Sequence, residues 1–215
     1  MNKLRARSED EKTERRERLL ESARRRFSLH GYQATTIRMI AGDVDLTPGS
    51  FYQYFDSKLE IYRTLSLMGM DILEGMIART LEGSFATAGD RIRALAGAYY
   101  RFFATEREYY DIIAVNHLGV REFFSDLKMV PLIEKRTKAL LALIASMIDD
   151  GIRSGEFRHL DSWKTAVTLW GIIDGVLILE VKKSTGFVGV SLADLVAHAV
   201  DMALAGMESG RRKER

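Results

Sequence analysis

Two groups of side chains in this sequence could do chemistry, and their spacings differ. The histidines, His30, His117, His159 and His198, are scattered. No pair sits one helical turn apart, and neither a Gly-x-Ser-x-Gly nucleophile turn nor a metal-ligand spacing accompanies them. The chain has no cysteine, which removes thiolate metal sites and disulfides and suits a reducing compartment. No catalytic residue, metal or cofactor is therefore expected. The second group is compact. Between Thr35 and Phe55, Thr47 is a helix N-cap, Pro48 falls at the first helical position where a missing N–H costs nothing, and Gly49 and Ser50 keep that first turn uncluttered. Tyr52, Gln53 and Tyr54 then offer hydrogen-bonding tips from a short helix whose front end another surface can approach closely. This is recognition chemistry, the arrangement of a helix-turn-helix whose second helix enters a DNA major groove.

The elements that must hold this group follow from the apolar spacing. Ile37, Ile40, Ala41 and Val44 recur at helical intervals and define the first short helix, while Phe51 and Phe55, four apart, anchor the second inward. Ahead of them, a helix from about Asp10 to His30 would bury Leu19, Leu20, Ala23 and Phe27 and stop at Gly31, with Tyr32 as its hydrophobic follower. Behind them, Ser57-Lys58-Leu59-Glu60 forms a capping box that starts a long helix to about Phe85, joining the reader to the body.

Residues 35 to 59 resemble the DNA-binding signature of the TetR family of bacterial transcriptional regulators, through the Thr35-Thr36 pair, Ile40-Ala41, Gly49 and the aromatic Tyr52 to Phe55 followed by Lys58. The resemblance covers the first quarter of the chain. It implies that Thr36, Ser50, Tyr52, Tyr54 and Lys58 contact phosphates, helped by the N–H groups of the helix starts at Thr36 and Thr47. Base reading would fall to Arg38, Thr47, Pro48, Gly49 and Gln53, since Arg can fork onto guanine, Gln onto adenine, and Thr or Pro carbon can touch a thymine methyl. Gln53 leads that set. Plainer roles compete at two positions: the Tyr52 ring as part of the core, and Lys58 as a helix-start cation. One departure stands out, because the family usually carries Ala-Gly in the turn where this sequence has Val44-Asp45. Asp tolerates left-handed backbone better than most non-glycine residues, so the turn is expected to survive with some strain.

Composition sets the frame. With 215 residues, 47% of them hydrophobic, and only two prolines, the chain reads as an all-α protein of one or two small domains. The net charge of +2 does not by itself identify nucleic acid as a partner, but residues 1–26 hold ten Lys and Arg against six Asp and Glu. That basic end adjoins the helix-turn-helix, although i,i+4 pairs such as Glu14 with Arg18 explain many of its charges as a solvated helix face. The N-terminus has no apolar signal core, and the longest apolar stretch, near Leu169 to Leu179, is interrupted by Asp174 and too short to span a bilayer. No membrane partner and a cytoplasmic location are expected.

In order, the sequence divides into a flexible basic arm at 1–10, a helix-turn-helix domain at 11–56, a larger helical ligand-binding and dimerisation domain at 57–208, and a basic disordered tail at 209–215. The body carries amphipathic stripes through Phe102 and Phe103, Tyr109 and Tyr110, a short piece at Arg121 to Lys128, and a helix from Pro131 to about Ser154. The last two helices, opened by Asp161 and Ser191, look apolar over more than one stripe, as a homodimer seam requires, and Gly171 and Gly175 would admit a close neighbour. The resemblance implies a ligand cavity among the middle helices, for which Met68, Phe102, Phe103, Tyr110, His117, Phe124, Trp170 and Asp174 are the candidates. Such a lining suits a largely apolar or aromatic small molecule, an acyl chain among them, and His117 and Asp174 stand out as polar groups on apolar helices that need partners. The leading reading is a dimeric, ligand-responsive repressor of a palindromic operator in double-stranded DNA. A helical sensor module without operator binding, suggested by Val44-Asp45, is the alternative. A small helical enzyme, needing a convergent acid and base in the cavity, comes last.

Overall fold

A computed structural model describes residues 2–115, 129–182, 186 and 189–209. Helix α1 spans Asn2–Ala34. The arm expected over residues 1–10 is therefore helical from Asn2, because the stretch has neither glycine nor proline and is rich in residues that lose little rotamer freedom in a helix. Gly31 interrupts α1 as expected, but with φ 73° and ψ 169°, a region that in practice only glycine occupies, and helical backbone resumes to Ala34. The chain continues through α2 (Ile37–Gly42), α3 (Pro48–Phe51), α4 (Lys58–Leu81), α5 (Ala88–Thr105), α6 (Arg107–Tyr110), a π-helical turn (Asp111–Val115), α7 (Met129–Ser154), α8 (Ser162–Val181) and α9 (Leu192–Met207). Among the described residues there is no strand, only an isolated antiparallel bridge between Phe157 and Glu208. The piece expected at Arg121 to Lys128 and the tail from Gly210 lie outside the described residues.

Packing divides the chain into two units, one of Met1–Ile72 with Glu106–Ile133, the other of Leu73–Thr105 with Glu134–Arg215. The packing boundary thus does not coincide with the sequence boundary at 56/57, because the first part of α4 buries itself against the α6 segment. In the first unit Leu19, Ala23, Phe27, Ile40, Phe51, Phe55, Ile61 and Leu65 form the core. Phe27, Tyr32 and Tyr62 pack edge to face or tilted, with centroids 5.1 to 5.6 Å apart. The Tyr62 hydroxyl donates to the Ile112 carbonyl at 2.7 Å. Gly69 lets α4 approach closely, since a Cβ there would lie 3.3 Å from both Tyr109 and Ile113. From α1, the Ser28 hydroxyl donates to Asp111 at 2.8 Å. Arg24 Nε lies 2.9 Å from the Glu108 carboxylate, off the line of its N–H and so an ion pair rather than an aligned hydrogen bond, and the guanidinium covers the Tyr109 ring.

In the second unit the buried stripe of α8, Ala166, Leu169, Ile173 and Leu177, meets Val196, Val200 and Leu204 of α9 and the apolar face of α5. The carboxylate of Glu156 accepts the N–H groups of Ala88 at 2.8 Å and Gly89 at 2.9 Å, capping α5 from a distant loop. No helix among the described residues is long and apolar enough to cross a membrane. Beside the Glu156 loop, the Phe157 ring rests on Gly151, where an added Cβ would lie 2.2 Å from it. Gly151→Ala is therefore expected to destabilise the protein by about 2 kcal/mol in urea denaturation, against the usual helix preference for alanine. Gly97→Ala, whose new Cβ would meet only Arg101 at 3.6 Å, should stabilise by about 0.5 kcal/mol or more.

Candidate nucleic-acid interface

The two short helices are built from their ends. Thr36 caps α2, its hydroxyl accepting the Met39 N–H at 3.2 Å, and Thr47 caps α3, accepting the Ser50 N–H at 3.1 Å. Pro48 occupies the first position of α3, as the sequence indicates. Between them the Leu46 N–H reaches the Ala41 carbonyl at 2.9 Å and the Asp45 N–H reaches Gly42 at 3.3 Å, the paired bonds of a Schellman motif. Asp45 is its left-handed residue, with φ 59°, and is the non-glycine residue with positive φ among those described. The turn expected to survive with an aspartate does so, at a conformational cost of about 1 kcal/mol.

Phe51 and Phe55 are buried, which turns the rest of α3 outward. Thr47, Pro48, Gly49, Tyr52 and Gln53 are exposed, Ser50 and Tyr54 are half-buried, and Thr36 and Arg38 are exposed at the start of α2. Tyr52 keeps 56% of its surface, so its ring is a surface group and not core. These nine residues belong to α2 and α3, to their caps and, for Gln53 and Tyr54, to the turn that follows α3. Lys58 opens α4, and its side chain is engaged within the fold. Its ammonium donates to the carbonyls of Tyr32 at 2.7 Å and Thr35 at 2.8 Å and lies 4.1 Å from the centre of the Tyr32 ring. It fastens the start of α4 to the end of α1. At that start the Ser57 hydroxyl accepts the Glu60 N–H at 3.1 Å while Glu60 reaches back to the N–H of Asp56, the expected capping box displaced by one residue.

One group escaped the sequence reading. Asp43, at the end of α2, accepts Arg26 Nε at 2.8 Å and Nη2 at 2.5 Å, and the buried Ser22 hydroxyl at 2.7 Å. The fork from Arg26, helped by Ser22, holds the Asp43 carboxyl at about 2, below the usual carboxylate range and against its partial burial. An acid at a helix C-terminus opposes the helix dipole and so needs a cation, which is the signal that could have pointed to it.

Of the expected ligand residues, Met68 and Tyr110 belong to the first unit and Phe102, Phe103, Trp170 and Asp174 to the second. Tyr110 and Phe102 are fully buried and Phe103 nearly so, Met68 is half-buried, and His117 and Phe124 lie outside the described residues. Trp170 keeps 39% of its surface, and one turn on, Asp174 accepts the Tyr99 hydroxyl at 2.8 Å. A groove of about 400 Å³ opens elsewhere on the same unit, between Ile172 and Val176 of α8 and Leu195, His198, Ala199 and Met202 of α9. Met202 beside it is 63% exposed. Among the described residues no cluster of His, Asp and Glu could hold a metal ion.

Comparison with known proteins bears on this geometry. Residues 19–65 match the family of bacterial regulatory proteins described as the tetR family. The HTH-type transcriptional repressor KstR2 of Mycolicibacterium smegmatis is 28% identical over 145 residues, covering 67% of this chain and 68% of that protein. Among solved structures, a putative transcriptional regulator from Saccharomonospora viridis in complex with choline has a TM-score of 0.77 at 23% identity, covering 92% of this chain and 99% of that one. The transcriptional regulator FadR from Bacillus subtilis in complex with stearoyl-CoA has a TM-score of 0.70 at 19% identity, covering 89% and 98%. The two structural likenesses establish the fold.

Removing the Lys58 ammonium leaves two part-buried carbonyls without their donor. Lys58→Ala is expected to cost about 2 kcal/mol in chemical denaturation. The salt dependence of DNA binding should then match that of the parent once the folded fraction is accounted for, whereas a slope lowered by about one would return Lys58 to the phosphate contacts.

Proposed function

We infer that the chain, which belongs to the TetR family of bacterial regulatory proteins, is a cytoplasmic, dimeric transcriptional repressor that reads a palindromic operator and releases it on binding a largely apolar small molecule. It is a regulator and not an enzyme. The observation that carries the reading is the outward face of the capped pair α2 and α3. Thr36, Ser50, Tyr52 and Tyr54 are proposed to meet phosphates, aided by the N–H groups at the helix starts, and Arg38, Thr47, Pro48, Gly49 and Gln53 to meet base edges.

The dimer is proposed through α8 and α9. Their groove, with the exposed Ile172, Leu179 and Met202, is more apolar surface than a monomeric helix pair needs, and Gly171 and Gly175 would meet nothing within 4 Å as alanines. Two copies of α3 would then address two half-sites. An apolar effector is supported by the aromatic content of the body, and Trp170 with Asp174 and Tyr99 supplies an apolar wall beside a polar fixing point. The relatives' ligands, choline and stearoyl-CoA, bracket the chemistry to be screened. To empty the operator, an effector must favour the non-binding conformation by about 5 kcal/mol.

Gln53→Ala is expected to lose discrimination at one or two base pairs, with an unchanged salt slope, in fluorescence anisotropy on a duplex enriched from random sequence by the parent chain. Equal losses on that duplex and on random DNA would refute base reading by Gln53. Met202→Glu should convert the dimer to monomer in native mass spectrometry and lower the affinity for a two-half-site duplex by about two orders of magnitude. A dimer that persists would move the seam elsewhere.

A further inference from the structure

The clamp at Asp43 has a place in the reading of DNA. Asp43 closes α2, Asp45 turns the chain in the left-handed conformation, and α3 begins at Pro48, so the direction of α3 is set within five residues of Asp43. Of the main-chain bonds that hold the turn itself, Asp45 to Gly42 at 3.3 Å is the longest. The left-handed position carries a Cβ that opposes it. Beside the apolar burial of Ile40, Ala41 and Val44, the polar tie from this turn to the long helix behind it is the Asp43 carboxylate, gripped by both arms of Arg26 and by Ser22, whose hydroxyl also lies 3.1 Å from the Ile40 carbonyl. Ser22 is wholly buried, so its end of the clamp has no freedom to follow a shifting α2.

We propose that Asp43 is a positioning residue for base reading: anchored by Arg26 and Ser22 of α1, it holds the strained turn so that α3 keeps one direction. The role rests on the DNA-reading function above. Base edges demand alignment, because a bidentate pair fails when its side chain tilts, whereas phosphate contacts, many of them from flexible side chains, tolerate the same tilt. Loosening the clamp therefore erodes sequence discrimination before it erodes binding to duplex DNA as such. The aspartate at position 45 raises the demand on the clamp, since a glycine there would adopt the left-handed backbone without the Cβ penalty.

The test uses the full-length chain and two duplexes, one enriched by the parent protein from a random pool and one of scrambled sequence, in anisotropy titrations at fixed salt. Asp43→Ala is expected to reduce the ratio of affinities for enriched over scrambled duplex by about tenfold, with scrambled-duplex affinity and salt slope within twofold of the parent and helix content retained by circular dichroism. Asp45→Gly added to Asp43→Ala is expected to restore most of the ratio. Arg26→Lys, which keeps the charge and loses the fork, should show the same loss in a milder form and serves if Asp43→Ala does not fold. An unchanged ratio, an equal loss on both duplexes, or a ratio that Asp45→Gly leaves unrestored would overturn the positioning role. A parent protein that enriches no duplex would overturn the DNA-reading function and this role with it.

Discussion

Short helices are mostly ends, and that constraint governs the first unit. In α2, of six residues, and α3, of four, more main-chain groups lie in terminal turns than in a complete ladder, so neither helix can stand on its own hydrogen bonds. Each is held from outside its own ladder. Thr36 and Thr47 take the first N–H groups, the Schellman bonds take the last carbonyls of α2, and Phe51 and Phe55 fix the roll of α3 by burial. Lys58 does the same for the end of α1, placing a cation on two carbonyls and a ring where the chain leaves the helical pair. The outward polar set is presented in one arrangement because these ends are occupied.

A second theme is the use of charge across sequence distance. Arg24 with Glu108, Arg26 with Asp43 and Ser28 with Asp111 all depart from one stretch of α1 and reach different elements. Each contact is partly exposed and modest in energy taken singly. Their geometric effect is larger, since α1 becomes a common reference for the helix-turn-helix on one side and the α6 segment on another. The second unit uses the same device in Glu156, whose two oxygens cap α5, and in Arg136, whose fork meets Glu74 at 2.7 Å.

Much of the fold was legible because its signals are local. Thr36, Thr47, Pro48 and Ser57 declare helix starts within four residues of themselves, and the inward turn of Phe51 and Phe55 follows from their spacing. Asp45 was legible as the position under strain. Lys58 was not, because a lysine stem reaches solvent or a carbonyl with equal ease and only the placement of Tyr32 and Thr35, more than twenty residues earlier, decides between them. Asp43 and Arg26, seventeen residues apart, form no pattern that periodicity can detect. The start of α1 is helical because its residues favour helix, whereas their charge says nothing about looseness. Among the body's aromatics, burial of Phe102 and Tyr110 and exposure of Trp170 could not be told apart by spacing alone, since α8 is apolar on more than one face.

The π-helical turn and α6 have a bearing on how the chain is made. They pack with the first unit, yet in sequence they follow α5, which belongs to the second. As the chain leaves the ribosome, residues 1–72 emerge without the carbonyl of Ile112 that receives the Tyr62 hydroxyl, and without Tyr109 and Ile113 that close over Gly69. The amino-terminal unit is finished only after α5 has been synthesised in between. Its order of assembly is interleaved, and a fragment cut at the end of the helix-turn-helix is an unfinished unit rather than a portable one.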